Sequence, residues 1–123
     1  MIMEGKTVVV SGVGPGLGRE IAAAAARDGA NVAIGARTQA NLEKVAADID
    51  PSGERVAWSV TDITDPAQCA RLAATAIERF GQVDALVNCA ALDAVFGGLE
   101  NADWDSWRQA LEVNLFGTMQ MTE

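Results

Sequence analysis

The stretch from Thr7 to Gly18, TVVVSGVGPGLG, limits what this chain can fold into more than any other part of it. Thr7-Val8-Val9-Val10 is a continuous apolar, β-branched run, the pattern of a strand buried on both faces. Glycines 12, 14, 16 and 18 close it. Gly16 to Asp28 then carries an Ala-rich apolar face and stops at Gly29, a helix C-terminus signal. The glycines have separable jobs. Gly12 permits a sharp turn out of the strand. Gly16 lets backbone approach a pyrophosphate without a Cβ in the way, and Gly18 lets the helix pack close to the sheet. The unpaired N–H groups and positive end of that helix would face the phosphates. A glycine pattern alone also fits a turn with no ligand. Its position between a strand and a helix, at the first turn of an α/β pattern, favours a dinucleotide. A phosphate-binding loop of the Gly-Lys-Ser/Thr type is excluded, because this loop ends Gly18-Arg19-Glu20.

The same alternation continues along the chain. Asn31 to Gly35 reads as a second strand, and Thr38 can cap a helix from Gln39 to Ile49. Pro51-Ser52-Gly53 is a turn, and Arg55 to Ser59 is a third strand. Asp65-Pro66 places an N-cap before a proline at the first helical position. Ala70, Ala73, Ala74, Ile77 and Phe80 are expected on the inward face of that helix, which Gly81 ends. Ala85 to Asn88 reads as a fourth strand, followed by a Gly-containing loop to Asn101. Asp103 is expected to cap a last helix through Trp104, Trp107, Leu111 and Leu115. Trp104 and Trp107 read as core or subunit-interface anchors, Trp58 as packing, and Cys69 as inert. The order β-α-β-α-β-α-β-α implies a doubly wound parallel sheet in one domain.

Composition narrows the function. A net charge of −8 argues against a nucleic-acid partner, which needs clustered Lys and Arg. The chain has no His, and Cys69 and Cys89 have no metal-ligand spacing, so no metal is expected. Two cysteines make no disulfide framework, which suggests a reducing, cytoplasmic setting. No signal pattern precedes the first strand, and the most apolar helix segment, Ile21 to Ala26, is far short of the roughly 20 residues that span a bilayer. The chain also contains no Tyr.

Four landmarks carry a family resemblance. Ser11-Gly12-x-x-x-Gly16-x-Gly18 resembles the TGxxxGxG loop of short-chain dehydrogenases/reductases, with Ser11 in place of Thr. Asp62-Ile63, after strand three, is similar to the family's Asp-Val/Leu pair beside adenine. Asn88-Cys89-Ala90-Ala91 resembles its Asn-Asn-Ala-Gly signature, and Glu112-Val113-Asn114-Leu115 resembles the helix segment with its active-site Asn. The chain departs from the pattern at Cys89, which replaces the second Asn, and at Ala91, which replaces Gly. Pro15 removes an N–H from the loop and leaves no side-chain cation there.

The resemblance implies an α/β, Rossmann-type doubly wound sheet cut off after about four strands, residues 1–123 being the NAD(P)-binding part. It implies a cofactor-binding set of Ser11, Gly12, Gly14, Gly16, Leu17, Arg37, Thr38, Asp62, Ile63, Asn88 and Ala90, with Asn114 as the one matching catalytic position. The family's chemistry is hydride transfer between nicotinamide and a small carbonyl or alcohol, with Ser and Tyr-x-x-x-Lys moving the proton. Those residues lie on strand five and its helix, past Glu123, so strand four is expected to be an edge. An NAD-type site places an acid at the end of strand two. That position is Ala36, and Arg37 follows, suited to a phosphate fork. NADP(H) is therefore expected, with NAD(H) use open. A small-molecule substrate, no membrane and a homo-oligomeric full-length parent are the implied partners. A catalytically inactive NADP(H)-binding module and a non-functional fragment stay open beside the enzyme. Asp62 as a simple turn cap and Arg37 as a solvated surface residue stay open too.

Overall fold

The computed structural model describes residues 2–92, 100 and 103–123; most of the loop expected before Asn101 lies outside them. Its elements are β1 (Thr7–Ser11), α1 (Leu17–Arg27), β2 (Asn31–Ala36), α2 (Gln39–Ile49), β3 (Val56–Val60), α3 (Pro66–Phe80), β4 (Ala85–Asn88), α4 (Trp104–Leu111) and, after a π-helical segment at Glu112–Gly117, α5 (Thr118–Thr122). Among the described residues the strands form one parallel sheet in the order β3-β2-β1-β4. The chain runs outward from β1 to β3 and then returns to the other side of β1. The order therefore reverses between β1 and β4, the place where open parallel sheets leave a crevice beyond their strand ends.

Both faces of the sheet are covered, which is why the strand sequences do not alternate. Val8 and Val10 point to one side, where Val32, Ile34, Ala22, Ala26, Leu42 and Val45 close a core under α1 and α2. Val9 and Ala33 point to the other, against Ile63, Cys69, Leu72, Ala76 and Met121. Val10, Val32 and Ile34 are fully buried. The outer layers are tied to the sheet by polar contacts as well. Arg55 Nη1 donates to the carbonyls of Ala26 (2.9 Å), in the last turn of α1, and Ala30 (3.0 Å), directly before β2. Thr7 N–H donates to Asp84 Oδ2 (2.8 Å) and Asp84 N–H donates to Thr7 O (2.9 Å), which sets where β4 begins against β1.

Three expectations are corrected. The inward face of α3 is Cys69, Leu72 and Ala76, while Ala70, Ala73, Ala74 and Ile77 are exposed and Phe80 is half-buried. An Ala-rich helix offers the 3.6-residue period on more than one side. Leu72 lies on one such side and Ile77 on another, and it is the Leu72 side that packs with Val9, Ala33 and Ile63 of the sheet layer. Of the core-or-interface expectation for Trp104, the core half is corrected: it is 55% exposed and packs on Trp107 with ring centroids 5.7 Å apart. The last helix is not one uninterrupted α-helix, because the π-helical turn at Glu112–Gly117 separates α4 from α5. The helix ends follow the sequence closely. Asp65 Oδ1 accepts from Ala67 N–H at the start of α3, Gly81 takes φ +82 at its end, and Asp103 accepts from Asp105 and Ser106 at the start of α4. As expected, β4 is an edge among the described residues, with β1 its one paired neighbour and Ala85, Leu86 and Val87 half-buried.

Candidate nucleotide-binding site

The end of β1 is built by close backbone contact. Gly12 has φ +88, and a Cβ placed on it would lie 2.1 Å from Ala90 N and 2.4 Å from Cys89 C. Only glycine permits both the turn and this approach. Gly12 N–H (2.8 Å) and Val13 N–H (3.1 Å) both donate to Gly35 O, and Cys89 N–H donates to Ser11 O (2.8 Å). The ends of β1, β2 and β4 are thus knotted together beneath one point. A Cβ on Gly18 would lie 2.5 Å from Gly12 O, so α1 sits directly against the turn, as expected from sequence.

Gly14 and Gly16 differ from these two. A Cβ on either would meet nothing within 4 Å, so the packing of the protein does not demand glycine there. The bare backbone faces open space. The start of α1 is also without a side-chain cap, and Thr38, though at the N-cap position of α2, makes no cap hydrogen bond either. The helices α3 and α4, by contrast, have their first N–H groups satisfied by Asp65 and Asp103. Unclothed backbone and unpaired donors on the glycine-loop side suit a phosphate group.

These features open on a cleft of about 250 Å³ at the switch point between β1 and β4. Gly12 and Gly14 line its base, Arg37 and Thr38 one wall, Asp62 and Ile63 another, and Ala90 the β4 side. Ser11, Gly16, Leu17, Asn88 and Asn114 do not line it. Ser11 is buried and its hydroxyl donates to Asn88 Oδ1 (3.4 Å), while Asn88 Nδ2 donates to Thr122 Oγ1 (3.1 Å). Asn88 therefore ties β4 to both β1 and α5. Gly16 and Leu17 stand exposed at the start of α1. Sequence reasoning passed over Val13, Asn41, Thr61 and Val113, which also line the cleft. Val13 lies inside the glycine run and Thr61 directly before Asp62, so position next to a motif was the available signal.

Asp62 is held in a tight turn. Its Oδ1 accepts from Thr64 Oγ1 (2.7 Å) and from Thr64 N–H (3.0 Å). The Thr64 hydroxyl, then the Thr64 N–H, lower its pKa; partial burial opposes them, and the Arg37 charge adds a smaller lowering. Asp62 is thus a carboxylate at neutral pH, and one of its oxygens is already engaged. The turn-cap reading of Asp62 is part of its role. Cys69, behind this wall, is buried with its thiol against Ile63 O (3.4 Å). Burial, then the charges of Asp65 and Asp62, push its pKa up, so it stays a protonated thiol.

Asn114 acts at a distance from the cleft. Its Oδ1 accepts from Leu92 N–H (2.6 Å) and its Nδ2 donates to Leu92 O (2.8 Å). One side chain thereby satisfies both backbone groups of a residue just past the β4 end. It does so from within the π-helical turn, a form of helix frequent at functional sites. The turn also seats Gly117 on Ile63, where a Cβ would meet Ile63 Cγ1 at 2.6 Å. Asn114→Ala is expected to raise the hydrogen-exchange rate of the Leu92 amide and to cost about 1 kcal/mol of stability, measured by urea denaturation. An unchanged Leu92 exchange rate would count against this tie. Among the described residues no group of His, Cys, Asp and Glu could hold a metal, and no helix is long and apolar enough to cross a membrane.

A 3-2-1-4 parallel sheet with a glycine turn into α1 and a crevice at the switch point defines a Rossmann-type nucleotide-binding fold. Residues 6–123 match the family model for short chain dehydrogenases, and the chain belongs to that family of nicotinamide-dependent oxidoreductases. It is 38% identical over 117 residues to a glycine betaine reductase of Emericella nidulans, covering 95% of this chain and 9% of that protein. It is 33% identical over 121 residues to dehydrogenase/reductase SDR family member 4 of Sus scrofa, covering 98% of this chain and 43% of the relative. A crystal structure of 3-ketoacyl-(acyl-carrier-protein) reductase from Brucella melitensis, complexed with NADH, superposes with TM-score 0.89 at 32% identity, over 97% of this chain and 48% of that one. The chain thus spans less than half the length of these relatives.

Proposed function

We propose that this chain binds NADP(H) in preference to NAD(H), as the cofactor-binding part of an oxidoreductase acting on a small carbonyl or alcohol. The observation that carries the reading is the wall at the end of β2, where Ala36, Arg37 and Thr38 line the cleft. No carboxylate stands at the Ala36 position to accept from a ribose 2′-hydroxyl, and a guanidinium stands beside it. Gly14, Gly16 and the uncapped start of α1 support a pyrophosphate beside that wall. Asp62 and Ile63 suit the adenine, since Asp62 keeps one carboxylate oxygen free of the Thr64 turn. When bound, the nicotinamide would give a hydride to a carbonyl or take one from an alcohol. These 123 residues contain no Tyr and no His, so their own contribution is to bind and orient the cofactor.

Titrating the protein with NADPH and NADH by calorimetry at moderate salt tests the proposal. A charge-assisted contact from Arg37 to the 2′-phosphate is worth roughly 1.5–3 kcal/mol. NADPH is therefore expected to bind more tightly than NADH by about 10- to 150-fold. Equal affinities, or tighter NADH, would sink the preference, and no binding of either would sink the site.

A further inference from the structure

β3 is the edge of the sheet opposite β4. Val32 N–H donates to Arg55 O (2.8 Å) and Thr61 N–H donates to Ala36 O (2.7 Å), with Ile34 in register with Trp58. In a parallel ladder, alternate residues of a strand turn their backbone groups to the same neighbour. Arg55, Ala57, Ser59 and Thr61 therefore face β2, and the N–H and C=O groups of Val56, Trp58 and Val60 face outward. Among the described residues nothing pairs with them. Edge strands are commonly guarded by a charge, a proline or a bulge. The run Val56-Ala57-Trp58-Ser59-Val60 has no charge and no proline, and it pairs with β2 without a bulge.

This edge carries a knob and a hole side by side. Trp58 is only partly buried. Next to it a recess of about 480 Å³ lies between α2 and α3, lined by the small residues Ala46, Ala47, Gly53, Ala57 and Thr75. A patch with both features is complementary to itself, as a two-fold interface requires. Its hydrogen bonding is self-complementary too. In an antiparallel pair with Trp58 on the two-fold axis, Trp58 lies opposite the partner's Trp58, and Val56 lies opposite the partner's Val60. Every outward N–H of either copy then donates to a C=O of the other. The chain has a net charge of −8, and on this uncharged strip two copies can meet without opposing like charges. The area also suffices. The folded chain leaves 7219 Å² accessible, where a monomer of its 12.8 kDa leaves about 6,300 Å². The surplus, about 900 Å², is close to the roughly 800 Å² that each partner gives to a standard interface.

We infer that the β3 edge is a contact between two copies of this chain, joining their sheets by antiparallel β3–β3 pairing about Trp58. The inference does not rest on the nucleotide reading. Two four-stranded sheets become one continuous sheet. The clefts lie beyond the C-terminal ends of the strands, so antiparallel pairing turns them to opposite ends of the joined sheet and leaves both open.

Sedimentation equilibrium and amide hydrogen exchange, each followed from micromolar to millimolar protein, test this. A monomer–dimer equilibrium is expected, and the amides of Val56, Trp58 and Val60 should gain protection as dimer accumulates. Trp58→Lys puts a charge on the axis and removes a central aromatic anchor, so the dimer dissociation constant should rise about 30-fold. Trp58→Phe keeps an apolar ring and should still dimerise. Trp58 also touches the core, so circular dichroism must first show that the Lys variant is folded. If it is not, exchange in the wild-type protein decides alone. A chain that stays monomeric throughout overturns the inference. So does a dimer whose three outward amides exchange as fast as in the monomer, which would place the contact elsewhere, as on the exposed Leu111 and Leu115. A folded Trp58→Lys protein that dimerises like the wild type overturns it as well.

Discussion

Gly12→Ala is expected to destabilise the chain by about 3 kcal/mol and to remove nucleotide binding with it. The substitution meets two obstacles together. A φ of +88 is unfavourable for any residue with a Cβ, by about 1–2 kcal/mol. The added carbon also falls 2.1 Å from Ala90 N and 2.4 Å from Ala90 Cα. These are main-chain atoms, so no rotamer change relieves the clash. The ends of β1 and β4 must part, and the Cys89–Ser11 hydrogen bond, 2.8 Å long, goes with them. Gly16→Ala is the matched control. Its Cβ has nothing within 4 Å and its φ is −107. That variant should fold with wild-type stability and lose affinity for the dinucleotide alone. Urea midpoints and calorimetric titrations of both variants separate the two glycines. A Gly12→Ala protein as stable as the parent would contradict the geometry of the turn. Undiminished binding by Gly16→Ala would mean that no ligand backbone comes near that residue.

Arg37→Asp is expected to reverse the cofactor preference. Removing the guanidinium costs NADPH the roughly 1.5–3 kcal/mol of its phosphate contact, or about 10- to 150-fold. The new carboxylate repels a 2′-phosphate and accepts from a 2′-hydroxyl, so NADH should gain while NADPH loses. The change also places a second carboxylate near Asp62, whose pKa the Arg37 charge helps to lower. That added repulsion acts on both nucleotides alike, so the ratio of the two affinities is the quantity to read. A ratio unchanged by the substitution would make Arg37 a bystander.

The fold was legible because its determinants are local. Val8-Val9-Val10 carries the signature of a strand covered on both sides, and Asp65-Pro66 and Gly81 bracket α3 by capping chemistry that short-range sequence displays. The face of α3 was not legible, because Ala70, Ala73 and Ala74 have the same period as Cys69, Leu72 and Ala76 and little apolar area to decide between them. Of the residues singled out for the site, Gly12, Gly14, Arg37, Thr38, Asp62, Ile63 and Ala90 line one cleft. The part played by Asn114 was beyond reach. Its partner is Leu92, and nothing in the spacing says that a helical side chain will serve the backbone of a distant residue, or that the helix widens to a π-turn there.

The knot beneath Gly12 also orders events in time. β1 finds β2 through the short crossover that joins Thr7 to Asn31, whereas Thr7 meets Asp84 across 77 positions. Closing the loop to β4, roughly three times longer, costs about 1 kcal/mol more chain entropy. The layer of β1, α1, β2 and α2 is therefore expected to assemble early, and β4 to dock late. Cys89 and Ala90 arrive with β4, so the β4 side of the cleft is completed late. A growing chain would hold most of its hydrophobic core before it could hold any nucleotide, and the cofactor, once seated, would act as a latch on the final step of folding. Pulse-labelling hydrogen exchange should protect the amide of Ile34 before that of Leu86; simultaneous protection would remove the delay.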